Sequence, residues 1–215
     1  MLKADLHIHT AYSFDCNMSL ESITNRCIKV GINCIAVADH GAITGALKLN
    51  EIAPFTVIVA EEILTPLGEI MGLFLSHEIP SGISAEEAIA RIKAQGGLVC
   101  LPHPFDRLRG VKLREAERLL PDIDIIEVFN SRALALGNSD KEAKLLAQKY
   151  GLLCSAGSDA HIPWEIGHAY VEMPEFNGTG EFRVALSEGK IFGRRSCPLV
   201  HIPSTWTRYR KRFLS

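Results

Sequence analysis

At 215 residues the chain suits one domain with a substantial core and is short for two. Nearly half of it is apolar (47%), and 23 basic side chains against 25 acidic ones leave a formal charge of -2. Such a balance gives no global electrostatic footprint for nucleic acid or membrane, so partners have to be inferred from a site.

The chain opens with Asp5-Leu6-His7-Ile8-His9, in which apolar and polar residues alternate with the period of a β-strand. Alternation turns both imidazoles to one face. Buried there they need partners, either a metal ion or hydrogen bonds, and this stretch alone leaves both readings open. A polar loop, Thr10 to Met18, leads to a helix from Ser19 or Leu20 to Val30, which Gly31 closes with a left-handed cap. Cys34 to Ala38 is an apolar strand ending at Asp39-His40, Ile43 to Ile52 is helical, and Thr56 to Ala60 is a strand ending at Glu61-Glu62.

Gly68 to Leu75 reads as a further strand, and Ser84-Ala85-Glu86-Glu87 is a capping box that starts a helix ending at Gly96-Gly97. Leu98 to Leu101 is a strand finishing at Pro102-His103-Pro104. A helix is expected around Lys112 to Leu120, a strand over Ile123 to Phe129 and a helix over Lys141 to Tyr150. The strand Leu152 to Ala156 then runs into Gly157-Ser158-Asp159-Ala160-His161. The last stretch, Tyr170 to Pro203, reads as a strand, a helix near Glu181 to Gly189 and a short strand at Ile191 to Gly193, and Arg208 to Arg212 reads as a solvated or frayed basic end. The expected division is a barrel domain over 1–203 and a basic tail over 204–215.

Repeated strand–helix units imply a parallel sheet, in which functional side chains gather at the carboxyl ends of the strands. The groups at those ends are His7, His9, Asp15, His40, Glu62, Glu69, His103, Asp159 and His161. Imidazoles and carboxylates in this number are enough for more than one metal ion, since a catalytic site uses about three protein ligands. The six cysteines are scattered without a CxxC pair. Cys34, Cys100 and Cys154 lie in apolar runs, so reduced core thiols and a cytoplasmic setting are expected. Neither a secretory leader nor a run as long as a membrane span is seen, and no membrane partner is expected.

The segments Asp5-Leu6-His7-Ile8-His9-Thr10, Ala38-Asp39-His40, Glu61-Glu62-Ile63, Pro102-His103-Pro104 and Gly157-Ser158-Asp159-Ala160-His161 resemble the successive motifs of the polymerase-and-histidinol-phosphatase (PHP) superfamily. The resemblance runs from residue 2 to about residue 170. It implies an α/β fold, a distorted (βα)7 TIM-like barrel in a single domain, with a trinuclear metal centre. Carried over by position, the first ion takes His7, His9, Glu62 and Asp159, the second Glu62, Glu69 and His103, and the third Asp15, His40 and His161. Family members commonly have histidine where Glu69 stands. Glu62 is preferred to Glu61 because it precedes Ile63 in the motif.

This donor set suits up to three divalent ions, zinc, manganese or iron. Closely spaced ions hold a phosphate ester and turn bound water into a nucleophile near neutral pH. The expected activity is therefore metal-dependent hydrolysis of a phosphomonoester or of a nucleotide or oligonucleotide phosphate, with a small phosphorylated molecule or a nucleic-acid end as substrate. Asp159 and His161 are the expected catalytic residues, His161 or Asp39 also being placed to protonate the leaving oxygen. Asp39 is read chiefly as support behind a metal-bound histidine. Arg107, Asn130 and Arg132 are the expected substrate ligands, favoured over Arg109, Arg194 and Arg195. His77, His168 and His201 are read as outside the site, His77 being nearest to it. The competing readings are a non-catalytic metal-binding module that serves as a structural or binding domain, and a hydrolase of C–N bonds.

Overall fold

The computed structural model describes residues 1–106, 109–110, 117–134 and 139–213. Strand β1 (Leu2–Ile8) is followed by helix α1 (Leu20–Val30), β2 (Cys34–His40), α2 (Thr44–Ile52), β3 (Thr56–Thr65), β4 (Gly68–Leu73), α3 (Ala85–Ala94), β5 (Leu98–Leu101), β6 (Ile125–Asn130), α4 (Ser139–Tyr150) and β7 (Leu153–Gly157). Then come β8 (Ala169–Met173), α5 (Gly178–Ser187), β9 (Lys190–Gly193) and α6 (His201–Phe213). Expected caps are present. Ser19 Oγ accepts the Ser22 N–H, Ser84 Oγ accepts the Glu87 N–H, and Gly31 stands at φ 73°. Of the helix expected around Lys112, residues 112–116 lie outside the described residues, and Glu117–Asp122 is 3₁₀ helix.

The strands lie in the order β7-β6-β5-β4-β3-β2-β1-β8-β9. The end of β7 returns to β1, where His9 N–H donates to Ala160 O (3.0 Å) and Asp159 N–H to His7 O (2.7 Å), so the sheet curls into a nearly closed barrel. The sheet is mixed, however, which corrects the all-parallel expectation. β4 is antiparallel to both β3 and β5, and β8 to β1 and β9. Two residues, Pro66 and Leu67, join β3 to β4, and that is hairpin length, too short for a parallel crossover.

One core cluster draws a side chain from each of β1 to β8, among them Leu6, Ala38, Ala60, Met71, Cys100, Ile125, Ala156 and Val171, and is closed below by Phe182, Ala185 and Leu186 of α5. A second cluster seats α3 and α4, and a third seats α1 and α2. Leu6 belongs to the barrel interior and Ile8 to the α1–α2 cluster, so these two neighbours in the alternation face opposite ways. Between Asp5 and Ile8 the register against β2 shifts, and a bulge of this kind re-aims the side chains beyond it. All six cysteines are free thiols, Cys34 and Cys100 being buried and Cys154 partly so. Among the described residues no helix is long and apolar enough to cross a membrane.

Candidate metal centre

The nine residues expected from the strand ends converge at one end of the barrel, and all are buried. β1 and the turn after it bring His7, His9 and Asp15, while β2 and β3 bring His40 and Glu62. Glu69 stands near the start of β4 and reaches the same mouth because β4 runs backwards from the β3 hairpin. His103 follows β5, and Asp159 and His161 follow β7. His103 (φ 25°) and Asp159 (φ 55°) both occupy the left-handed backbone region, a conformation that persists where the surroundings hold it in place and that clusters at functional sites.

Glu62 is the centre. Its Oε2 lies 3.2 Å from His7 Nε2, 3.5 Å from His9 Nε2 and 3.6 Å from His40 Nε2, and its Oε1 lies 2.9 Å from His103 Nε2. Glu69 Oε2 approaches His103 Nε2 at 3.2 Å, and Asp159 Oδ1 approaches His9 Nε2 at 3.3 Å. Asp15 Oδ2 lies 3.2 Å from His161 Nε2 and 3.7 Å from His40 Nε2. The donor atoms form four overlapping groups: His9, Asp15, His40 and His161; His7, Glu62 and His103; His7, His9 and Asp159; and His40, Glu62 and Glu69. His9 therefore faces the Asp15 group as well as Asp159, and His40 faces Glu62 and Glu69 as well as Asp15.

These donors fit divalent cations. His9 Nε2, Glu69 Oε2 and Asp159 Oδ1 are buried and meet no partner with hydrogen-bond geometry, a costly state for polar atoms that nothing binds. Burial, with the Glu62 carboxylate beside it, pushes the Glu69 carboxyl up to about 10. Burial opposes ionisation of Glu62 too, but the imidazoles of His7, His40 and His103 outweigh it and hold Glu62 well below the usual carboxylate range. Buried carboxylates that compete for a few imidazoles are the arrangement that bound cations relieve.

Glu61, the neighbour of Glu62, points to the opposite face, where its Oε2 accepts the Ile79 N–H at 2.9 Å. Asp39 hydrogen-bonds no histidine ring among the described residues, although burial raises its carboxyl and the nearby imidazoles of His9 and His40 oppose that rise. It accepts the Thr10 N–H and Thr10 Oγ1–H, each at 2.5 Å, and so anchors the turn after His9. A Cβ at Gly45 would come within 2.3 Å of both Asp39 Oδ2 and Thr10 Oγ1, hence glycine in the first turn of α2.

The carboxylate that does stand behind a histidine is Glu127, which sequence reasoning missed. Its Oε1 lies 3.1 Å from His7 Nδ1, and its Oε2 accepts the His103 N–H and an Asn130 amide N–H, each at 2.9 Å. The clue was a charged residue in the apolar run Ile125-Ile126-Glu127-Val128-Phe129. Gly157 on β7 makes the approach possible, since a Cβ there would come within 2.3 Å of His7 Cβ.

A cavity of about 450 Å³ opens above the cluster, lined by Asp15, His40, Glu69 and His161 and by the cations Arg109, Arg132 and Arg208. Asn130 donates to Asp159 Oδ2 at 3.3 Å as well as to Glu127. Arg132 is buried, with Nη1 on Glu165 (2.9 Å) and Nη2 on Ser204 Oγ (2.8 Å). Arg109 donates to Asp159 Oδ2 at 2.6 Å and to Asp106 Oδ2 at 3.3 Å. Arg107 lies outside the described residues. His77 is exposed and contacts Ser76, whereas His201 borders the cavity, so of the three histidines set aside His201 is the near one. His168 pairs with Ser196 away from the cluster. The basic end is helical, as part of α6 along the cavity rim, and its Arg208, Arg210 and Arg212 are exposed.

A PHP domain model matches residues 5–97 and a PHP-associated model matches residues 137–191. The chain is 38% identical over 182 residues to an uncharacterized protein of Methanocaldococcus jannaschii, covering 82% of this chain and 72% of the relative. It is 25% identical over 202 residues to a probable phosphatase of Caldicellulosiruptor bescii, covering 79% and 84%. Among solved structures, PsfC from Pseudomonas syringae superposes with a TM-score of 0.69 at 14% identity, covering 97% of this chain and 98% of that one. A lesion-specific endonuclease of Pyrococcus furiosus superposes with a TM-score of 0.65 at 18% identity, covering 88% and 57%. With the motifs in order, their side chains gathered at one barrel mouth and these matches in hand, the chain belongs to the PHP family.

Proposed function

We propose that the protein is a metal-dependent phosphoric ester hydrolase, acting on a phosphorylated small molecule or a nucleic-acid end at a centre of three divalent ions. The observation that carries this reading is the convergence of nine buried imidazole and carboxylate side chains around Glu62, directly beneath a cavity rimmed by arginines. His7, His9, Glu62 and Asp159 would hold the first ion, Glu62, Glu69 and His103 the second, and Asp15, His40 and His161 the third. The mixed nitrogen and oxygen donors suit zinc, manganese or iron. Bound there, such ions supply Lewis acidity, neutralise charge and activate water.

The chain's own residues do the rest. Glu127 and the Asp159 carbonyl orient rings, the latter at 2.8 Å from His161 Nδ1. Asn130 fixes the carboxylates of Glu127 and Asp159, while Arg109 and Arg132 give the cavity wall a positive potential that favours a phosphate. Asp159 and His161 are the proposed catalytic residues, acting as ligands of the first and third ions, with His161 on the cavity wall. The phosphatase designation of the C. bescii relative supports a phosphoester substrate.

The test is phosphate release with manganese, zinc or iron from nucleoside 3',5'-bisphosphates, histidinol phosphate and 5'-phosphorylated oligonucleotides, beside His103→Ala. Release that requires metal and is lost in His103→Ala is expected. Metal-loaded protein that releases phosphate from none of them refutes the proposal.

A further inference from the structure

Helix α6 lies beyond both segments that the family models match. Its attachment is unusual. The residues it buries are Ser204 and Thr207, whereas Ile202, Trp206, Tyr209 and Phe213 are exposed, so polar contacts hold it and not apolar burial. Arg132 grips its first turns through Ser204, and Asn17 Nδ2 donates to Thr207 Oγ1 at 2.7 Å. At its far end Lys211 Nζ donates to three carbonyls of one turn, Ala11 and Ser13 at 2.7 Å and Cys16 at 2.8 Å. That turn carries Asp15.

The latch delivers Arg208 to the cavity. Its guanidinium lies over the Phe14 ring at 5.1 Å, and Phe14 in turn stacks on His40. Arg109 and Arg132 have both guanidinium ends on protein oxygens, whereas Arg208 makes one long contact, 3.4 Å to Asp15 Oδ2, and its side chain is 58% exposed. Of the cavity arginines among the described residues it is the one whose open donors are exposed, since the unpartnered Nε of Arg132 is buried. A planar fork with open donors matches phosphate oxygens.

We propose that Arg208 is the residue that binds the substrate's phosphate group, and that Lys211, by latching α6 to the Asp15 turn, is its positioning residue. This rests on the proposed phosphoesterase reading and extends it to an element outside the matched family segments.

The test uses the full chain loaded with manganese and inorganic phosphate as the probe, followed by calorimetry. Arg208→Ala is expected to weaken phosphate binding about tenfold or more, the loss of one charged hydrogen-bonded contact, with Arg208→Lys between the two. Arg212→Ala, an exposed charge on the same helix, is expected to change it by less than about twofold. Lys211→Met should weaken binding like Arg208→Ala and add little on top of it in the double variant, because both remove one interaction. Equal affinities of Arg208→Ala and Arg212→Ala, or no phosphate binding by the wild type, overturn the proposal. Arg208-dependent phosphate binding without hydrolysis of any ester sinks the proposed activity and leaves this inference standing. Hydrolysis with a KM that Arg208→Ala does not raise does the reverse.

Discussion

Replacing Glu127 by glutamine removes a charge while keeping the shape of the side chain, and the geometry dictates how the amide must turn. Two donors, the His103 N–H and the Asn130 amide, face Oε2 at 2.9 Å, so the amide oxygen stays there. The new NH₂ group then faces His7 Nδ1, 3.1 Å away in the native protein. To accept from it, His7 has to present a lone pair at Nδ1 and carry its proton on Nε2, the nitrogen that faces Glu62. A protonated Nε2 cannot ligate a metal. The expected cost is roughly 10- to 100-fold in affinity for the ion that His7 is proposed to hold, or about 1.4–2.8 kcal/mol. Titration of metal-free wild type and Glu127→Gln with manganese or zinc against a competing chromophoric chelator measures it directly. Affinities that match for every bound ion, in a variant whose circular dichroism is unchanged, would refute the assignment of Glu127 as the support of His7.

Two further outcomes are expected. Glu61→Gln should keep the full metal content by elemental analysis, because its amide oxygen can still accept the Ile79 N–H, whereas Glu62→Gln should lose at least one ion; the opposite result would reverse the reading of β3. His168 is lowered to about 4, by burial first and then by Arg194 and Arg26, below an ordinary imidazole value near 6.5. Between those two values the unfolded chain binds the extra proton, so His168 contributes stability at neutral pH that is lost as pH falls from about 6.5 toward 4. Denaturant unfolding of His168→Gln at pH 7 and pH 5 should therefore show a smaller acid loss than the wild type, and an unchanged loss would contradict this.

Much of the candidate site was legible because imidazoles and carboxylates that could hold a metal stand out by residue type at positions that local periodicity identifies. Strands read as ending near His40, Glu62, His103 and Asp159-Ala160-His161 place those groups at one end of a parallel sheet, although Glu62 lies within β3, which continues to Thr65. The choice of Glu62 over Glu61 came from its place before Ile63 in the family motif, and the structure turns the two to opposite faces. Six free thiols agree with the reading of the scattered cysteines.

What local pattern could not supply was direction and partnership across long separations. The reversed β4 depends on a two-residue connection, and only that reversal brings Glu69 to the mouth. The bulge in β1 breaks an alternation that the residues alone continue, because its register is set against β2 and not within the strand. Glu127 meets His7 across 120 residues, and Lys211 meets Ala11 across 200. Such pairings leave no periodic trace, since the energy of a buried hydrogen bond depends on which groups folding brings together and not on their spacing along the chain. The sequence alone therefore determined the kind of chemistry and the end of the barrel where it sits. Tertiary structure alone decided which carboxylate stands behind His7 and which cavity arginine keeps an exposed guanidinium.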